Sequence, residues 1–125
     1  LVYNVEANLT SYTDTGTFCI YFGCDPDDAD LCTELVYKEL KKMRDQRLTT
    51  AQLAAAQKQI IGQIGVAGDN FENVALDMGK CFLHYNIYEK KADVFRRINA
   101  LTADELLEIA NEKFAEDQLS VLMYR

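Results

Sequence analysis

The apolar residues change period at one place, Gly23-Cys24-Asp25-Pro26, and that change sets the order of strands and helices. Upstream the repeat is two, the period of a strand; downstream it is three or four, the period of a helix. In residues 2–12, Val5, Ala7 and Leu9 follow Tyr3 on one face, with Asn4, Glu6 and Asn8 on the other. That pattern predicts a half-buried strand. Tyr12-Thr13-Asp14-Thr15-Gly16 supplies turn residues. Residues 17–23 predict a second strand, with Phe18, Ile20 and Phe22 facing one way and Cys19 and Tyr21 the other. Apolar on both faces, it is expected to be the more buried of the two. The pair reads as a β-hairpin.

At the change of period, Asp25 suits an N-cap, Pro26 the first helical position, and Asp27 and Asp28 the first turn. A helix is predicted from there to about Gln46, with Ala29, Cys32, Val36, Leu40 and Met43 inward. Thr49-Thr50-Ala51-Gln52 is a capping box before a second helix, whose stripe is Leu53, Gln57, Ile60, Ile61 and Ile64. Gly62, Gly65 and Gly68 weaken its end. A third helix is predicted from about Asn70, turning Phe71, Val74, Met78, Cys81, Phe82 and Tyr85 inward. A short segment carries Val94 and Ile98. A second capping box, Thr102-Ala103-Asp104-Glu105, opens a helix burying Leu106, Ile109, Ala110 and Phe114. Residues 118–124 alternate again, predicting a final strand beside the hairpin. Strands and helices are segregated, so the fold class is α+β: an antiparallel sheet, hairpin plus C-terminal strand, packed on one face against several helices.

At 125 residues the chain has the size of one domain. Its net charge of −7 lacks the basic face that nucleic acid or an anionic membrane requires. No apolar run approaches the roughly 20 residues of a membrane span. The chain starts at Leu1 without an initiator Met, and is expected to be a piece of a longer protein. The four cysteines, Cys19, Cys24, Cys32 and Cys81, form no Cys-x-x-Cys pair and are read as buried free thiols, which fits a reducing compartment, with two disulfides as the alternative. A cytoplasmic location is favoured, with the periplasm as the other possibility.

No catalytic constellation stands out. His84, between Leu83 and Tyr85, is the single histidine and has no ligand partners at metal spacing. Asp25, Asp27, Asp28 and Asp30 lack the glycine and terminal glutamate of a calcium loop. Gly62, Gly65 and Gly68 follow no strand and precede no Lys-Ser/Thr, so they are no phosphate loop. Ser11 and Ser120 lack a glycine-framed elbow.

Several segments together resemble the insulinase-type (pitrilysin-type) zinc metallopeptidases, which include the mitochondrial processing peptidases. Leu1-Val2-Tyr3-Asn4-Val5 is similar to the family's Gly-Leu-Ala-Tyr-Ser-Val segment. Phe18 to Pro26 resembles its strand running into Gly-Thr-Asp-Pro, with Cys24 in place of the Thr. Leu53 to Gln63 resembles its Glu-Leu-x-x-Ala-Lys-x-x-x-x-Gly-Gln helix, with Lys58 and Gly62 in place. Ile98 to Leu106 resembles its Ile-x-x-Val-Thr-x-x-Asp/Glu helix start.

The resemblance implies a place in the second, non-zinc-binding domain of such an enzyme. Residues 1–125 are then a single domain fragment, the latter half of that domain. Family members pair two α+β domains around a closed proteolytic chamber. Zinc sits on a His-x-x-Glu-His motif of the first domain, polarising the scissile carbonyl while the Glu activates water. The second domain contributes an Arg and a Tyr, seven residues apart, that contact substrate near the scissile bond. Tyr3 falls on that Tyr; the Arg position precedes Leu1. The expectations are therefore a substrate-binding and chamber-forming role, Tyr3 as substrate-binding residue, and no catalytic residue and no metal ligand in this chain. Zinc is expected in the parent protein. Expected partners are a peptide substrate, the remainder of the parent peptidase, and a second copy in a self-associating homodimer. The alternatives are a non-catalytic assembly or activating subunit of the same family, and an unrelated α+β interaction module.

Overall fold

The computed structural model describes residues 1–124. It contains a two-stranded antiparallel sheet and five α-helices, so the α+β class is borne out. The strands are β1 (Val2–Ser11) and β2 (Gly16–Cys24), and the helices α1 (Ala29–Asp45), α2 (Thr50–Ala67), α3 (Phe71–Tyr85), α4 (Lys91–Ala100) and α5 (Ala103–Lys113). The described residues fall into two compact units: residues 1–45 with 110–124, and residues 46–109.

In the first unit, the hairpin register places Val5 opposite Phe22, Ala7 opposite Ile20 and Leu9 opposite Phe18. Opposed residues share a face, so the two apolar alternations meet on one side of the sheet. Tyr12 N–H donates to the Thr15 carbonyl at 2.9 Å and closes the turn. The Phe18 ring lies 5.2 Å from that of Phe114, just beyond α5, in a tilted aromatic pair. α1 buries Cys32 and Leu40 on the predicted stripe, while Met43 is exposed.

Two expectations about the sheet are corrected. Residues 119–124 form no strand. Alternation decides which face a side chain takes, but a strand forms only where a neighbour supplies ladder hydrogen bonds; β1 and β2 pair only with each other. Nor do helices cover the hairpin along one face. β1 is exposed from end to end, and burial rises only toward the Cys24 end of β2. β2 is nonetheless the more buried strand, as its pattern requires.

In the second unit, α2 starts at the predicted capping box. Thr49 Oγ1 accepts from the Gln52 N–H at 3.3 Å, and Gln52 Oε1 accepts from the Thr49 N–H at 2.9 Å. The half-buried stripe is Leu53, Gln57, Ile61 and Ile64, with Ile60 turned out. Gln57 Nε2 donates to the carbonyls of Ile98 at 3.0 Å and Leu101 at 3.2 Å. Those carbonyls lie at the C-terminal end of α4 and on its cap residue, where that of Ile98 also accepts from the Leu101 N–H at 3.3 Å. On α3 the half-buried positions are Val74, Met78 and Cys81; Phe71, Phe82 and Tyr85, expected inward, are exposed. Asn86 ends α3 in the left-handed conformation, φ 54°, where Asn is tolerated. The second capping box forms as predicted at the start of α5, with Thr102 N–H donating to Glu105 Oε2 at 2.8 Å.

Candidate functional site

The site is the end of the hairpin where the chain leaves β2 for α1. Val2 pairs with Cys24 and Asn4 with Gly23, so two residues of β2 oppose three of β1, and Tyr3 is the extra one. This is a β-bulge, a device that re-aims one side chain and locally ends regular pairing. Gly23 matters here because a Cβ would come within 3.1 Å of Asn4 Oδ1 and 3.8 Å of the Tyr3 ring. The bulge therefore packs against a backbone without a side chain.

Tyr3 is 74% exposed, yet its hydroxyl is anchored: it donates to Oδ1 of Asp25. Asp25 occupies the N-cap position of a 3-10 turn, Pro26–Asp28, that leads into α1. The expected side-chain cap does not form. The Asp28 N–H, one of the donors such a cap would use, is taken by the Asp25 carbonyl at 3.0 Å, and the carboxylate accepts from Tyr3 instead. The bond raises the Tyr3 pKa, with desolvation and the Asp25 charge acting in the same direction. A phenolate at this place would lose its donated bond and face a like charge. The carboxylate thus keeps the hydroxyl neutral and fixes the ring.

Behind this pair lie two thiols. The Cys32 Sγ, in the first turns of α1, is 3.7 Å from the Leu1 carbonyl. Cys24, opposite Val2, is half-buried, and the Cys32 thiol lies beside it. The expectation of four buried thiols is corrected: Cys32 is buried, Cys24 and Cys81 are half-buried, and Cys19 is exposed. All four are free. The gradient follows the hairpin, which is covered only at its Cys24 end.

Among the described residues no three His, Cys, Asp or Glu side chains gather as metal ligands would. His84 stands exposed on α3, its ring 6.1 Å from that of Tyr85. The aspartates after Gly23 serve the helix start and Tyr3. These residues do not fit a catalytic zinc, which needs three protein ligands and an open position. No described helix is long and apolar enough to cross a membrane. The sequence reading singled out Tyr3 and missed Asp25 as its partner. No local pattern marks the pair, whose members stand 22 residues apart.

The site is thus a bulged, carboxylate-held tyrosine at one end of the hairpin. Comparison with known proteins gives it a lineage. Residues 1–60 match the family described as the peptidase M16 inactive domain. A probable mitochondrial-processing peptidase subunit beta from Arabidopsis thaliana is 26% identical over 118 residues, covering 94% of this chain and 22% of the relative. An uncharacterized zinc protease from Rickettsia felis is 25% identical over 127 residues, covering 98% and 30%. The mitochondrial-processing peptidase subunit beta of Neurospora crassa is 26% identical over 114 residues, covering 90% and 24%. Over residues 1–60 the chain is thus similar to the inactive domain of the M16, or insulinase-type, peptidases, and along most of its length to zinc proteases and processing-peptidase beta subunits. It spans 22–30% of the length of these curated relatives.

Proposed function

We propose that this chain forms part of the substrate-binding chamber wall of a zinc-dependent endopeptidase, with zinc held elsewhere in the parent protein. The observation that carries the proposal is Tyr3, exposed at a bulge and held by Asp25. Its ring is fixed before a ligand arrives, which lowers the ordering cost of binding. The hydroxyl has one proton. While Asp25 accepts that proton, the phenol oxygen offers lone pairs to a peptide N–H. Donation to a peptide carbonyl, the role the family resemblance implies, requires the O–H to turn off Asp25. The carboxylate makes that turn reversible without ionising the phenol.

Large apolar residues are exposed beyond this site, among them Val5 and Leu9 on β1 and Phe71, Leu76 and Leu83 on α3. Exposed apolar surface of this extent belongs against another surface. We assign it to the remainder of the parent peptidase rather than to a second copy, because the matched relatives are several times longer than this chain. The free thiols suit a reducing, cytoplasmic setting.

The test places a photo-reactive phenylalanine analogue at position 3 of the full-length protein and illuminates it with a peptide substrate. Cross-linking at position 3, competed by unlabelled peptide, is the expected result. A protein that hydrolyses peptides without cross-linking at position 3 overturns the role of Tyr3. A protein that cross-links but hydrolyses nothing, with or without added zinc, favours the non-catalytic subunit.

A further inference from the structure

We propose that Cys24 and Cys32 are a modification site, joined as a reversible disulfide by thiol–disulfide exchange with a small-molecule disulfide. The fold brings the two together without a Cys-x-x-Cys motif. Cys24 ends β2 opposite Val2, and Cys32 reaches the carbonyl of the preceding residue, Leu1. Both sulfurs therefore sit at the same end of the hairpin, in one compact unit. The two differ in access, as a sequential exchange requires: Cys24 is half-buried, and Cys32 is 3% exposed. This inference goes beyond the proposed peptide-binding role and does not depend on it.

The step balances as follows. The Cys24 thiolate attacks one sulfur of the small disulfide, forming a mixed disulfide and expelling one small thiol. The Cys32 thiolate then attacks the Cys24 sulfur and expels the second. Two protein thiols are oxidised, one small disulfide is reduced to two thiols, and the protons leave with them. Partial burial and the neighbouring Cys32 push the Cys24 thiol up, so exchange is slow at neutral pH and quickens as the pH rises. The bridge closes the turn that carries Asp25, the partner of Tyr3, and so ties the hairpin end to α1.

The experiment treats the purified full-length protein with oxidised glutathione, blocks remaining thiols, and maps the peptides. A Cys24–Cys32 linked peptide, two hydrogens lighter than its two reduced halves together, and reversal by dithiothreitol are expected. Cys32→Ala should stop the reaction at a glutathione adduct on Cys24, and Cys24→Ser should leave Cys32 reduced. Exposed Cys19 provides the internal control, taking up glutathione in every variant. A wild-type protein that accumulates the Cys24 adduct without the linked peptide overturns the proposal. So does one in which Cys19 reacts while Cys24 and Cys32 both stay free. If Cys32→Ala fails to fold, the wild-type map alone decides.

Discussion

The Tyr3 hydroxyl donates a hydrogen bond to the carboxylate of Asp25, 22 residues further along the chain. Neither partner is buried, so the bond is not there to satisfy a core. It ties a bulge in β1 to the turn before α1, joining the strand half of the first unit to its helical half.

If Tyr3 binds the peptide, Tyr3→Phe in the full-length protein should depress turnover with little loss of stability. Loss of one hydrogen-bond donor at developing charge raises a barrier by about 3–4 kcal/mol. The ring is exposed and remains in the variant, so the urea midpoint should fall only by what one exposed hydrogen bond contributes. Steady-state kinetics and equilibrium unfolding on the same preparation check both halves. Unchanged kcat/KM would reduce Tyr3 to a packing residue.

Asp25→Ala should let Tyr3 ionise at lower pH. The carboxylate raises the folded-state pKa of Tyr3, chiefly by accepting its hydrogen bond. A group whose pKa is raised on folding adds stability that is fully present below its unfolded value, about 10 for tyrosine, and lost as pH rises through the folded value. Wild-type protein should therefore lose this contribution in the alkaline range, and Asp25→Ala should have none to lose. Seven tyrosines absorb together, so the phenolate titration is read as a difference against Tyr3→Phe. A Tyr3 titration unmoved by Asp25→Ala would show that the bond does not persist in solution. The helix start should survive, because the Asp25 side chain makes no cap bond there.

Thr49→Ala should cost about 1 kcal/mol by removing the capping box of α2. Both bonds of the box are present. Thr50→Ala, one residue on, is exposed and should stay within about 0.5 kcal/mol of wild type. Equal urea midpoints for the two variants would contradict the reading.

What the sequence disclosed follows from how local each signal is. Both capping boxes were legible because the Thr and its Gln or Glu partner sit three residues apart and need nothing else. The hairpin was legible because Val5, Ala7 and Leu9 match Phe22, Ile20 and Phe18 across a short turn. The strand expected over 118–124 failed for the opposite reason: its pattern was sound, but a strand needs a neighbour. The outward Phe71, Phe82 and Tyr85 failed likewise, since periodicity marks a face without saying what covers it. Family resemblance marked Tyr3, but the bulge beneath it is a matter of pairing register, and its partner Asp25 lies 22 residues away, a contact that no local pattern marks.

Gln57→Ala should loosen α2 from the end of α4. The Gln57 amide is half-buried and donates to the carbonyls of Ile98, Leu101 and, at 3.4 Å, Asn99. Removing it leaves acceptors at a helix C-terminus with only water to replace the donor. The net loss is about 1 kcal/mol for a hydrogen bond of this kind. Gln57→Glu should be worse at neutral pH, since it sets a negative oxygen against carbonyl oxygens at the negative end of the α4 dipole. That difference should shrink in acid, as the carboxylate takes up a proton and regains a donor. Amide hydrogen exchange locates the effect: Gln57→Ala should speed exchange through the last turn of α4 and leave α1 unchanged. Uniform acceleration across both units, or none in α4, would show that Gln57 does not hold that helix end.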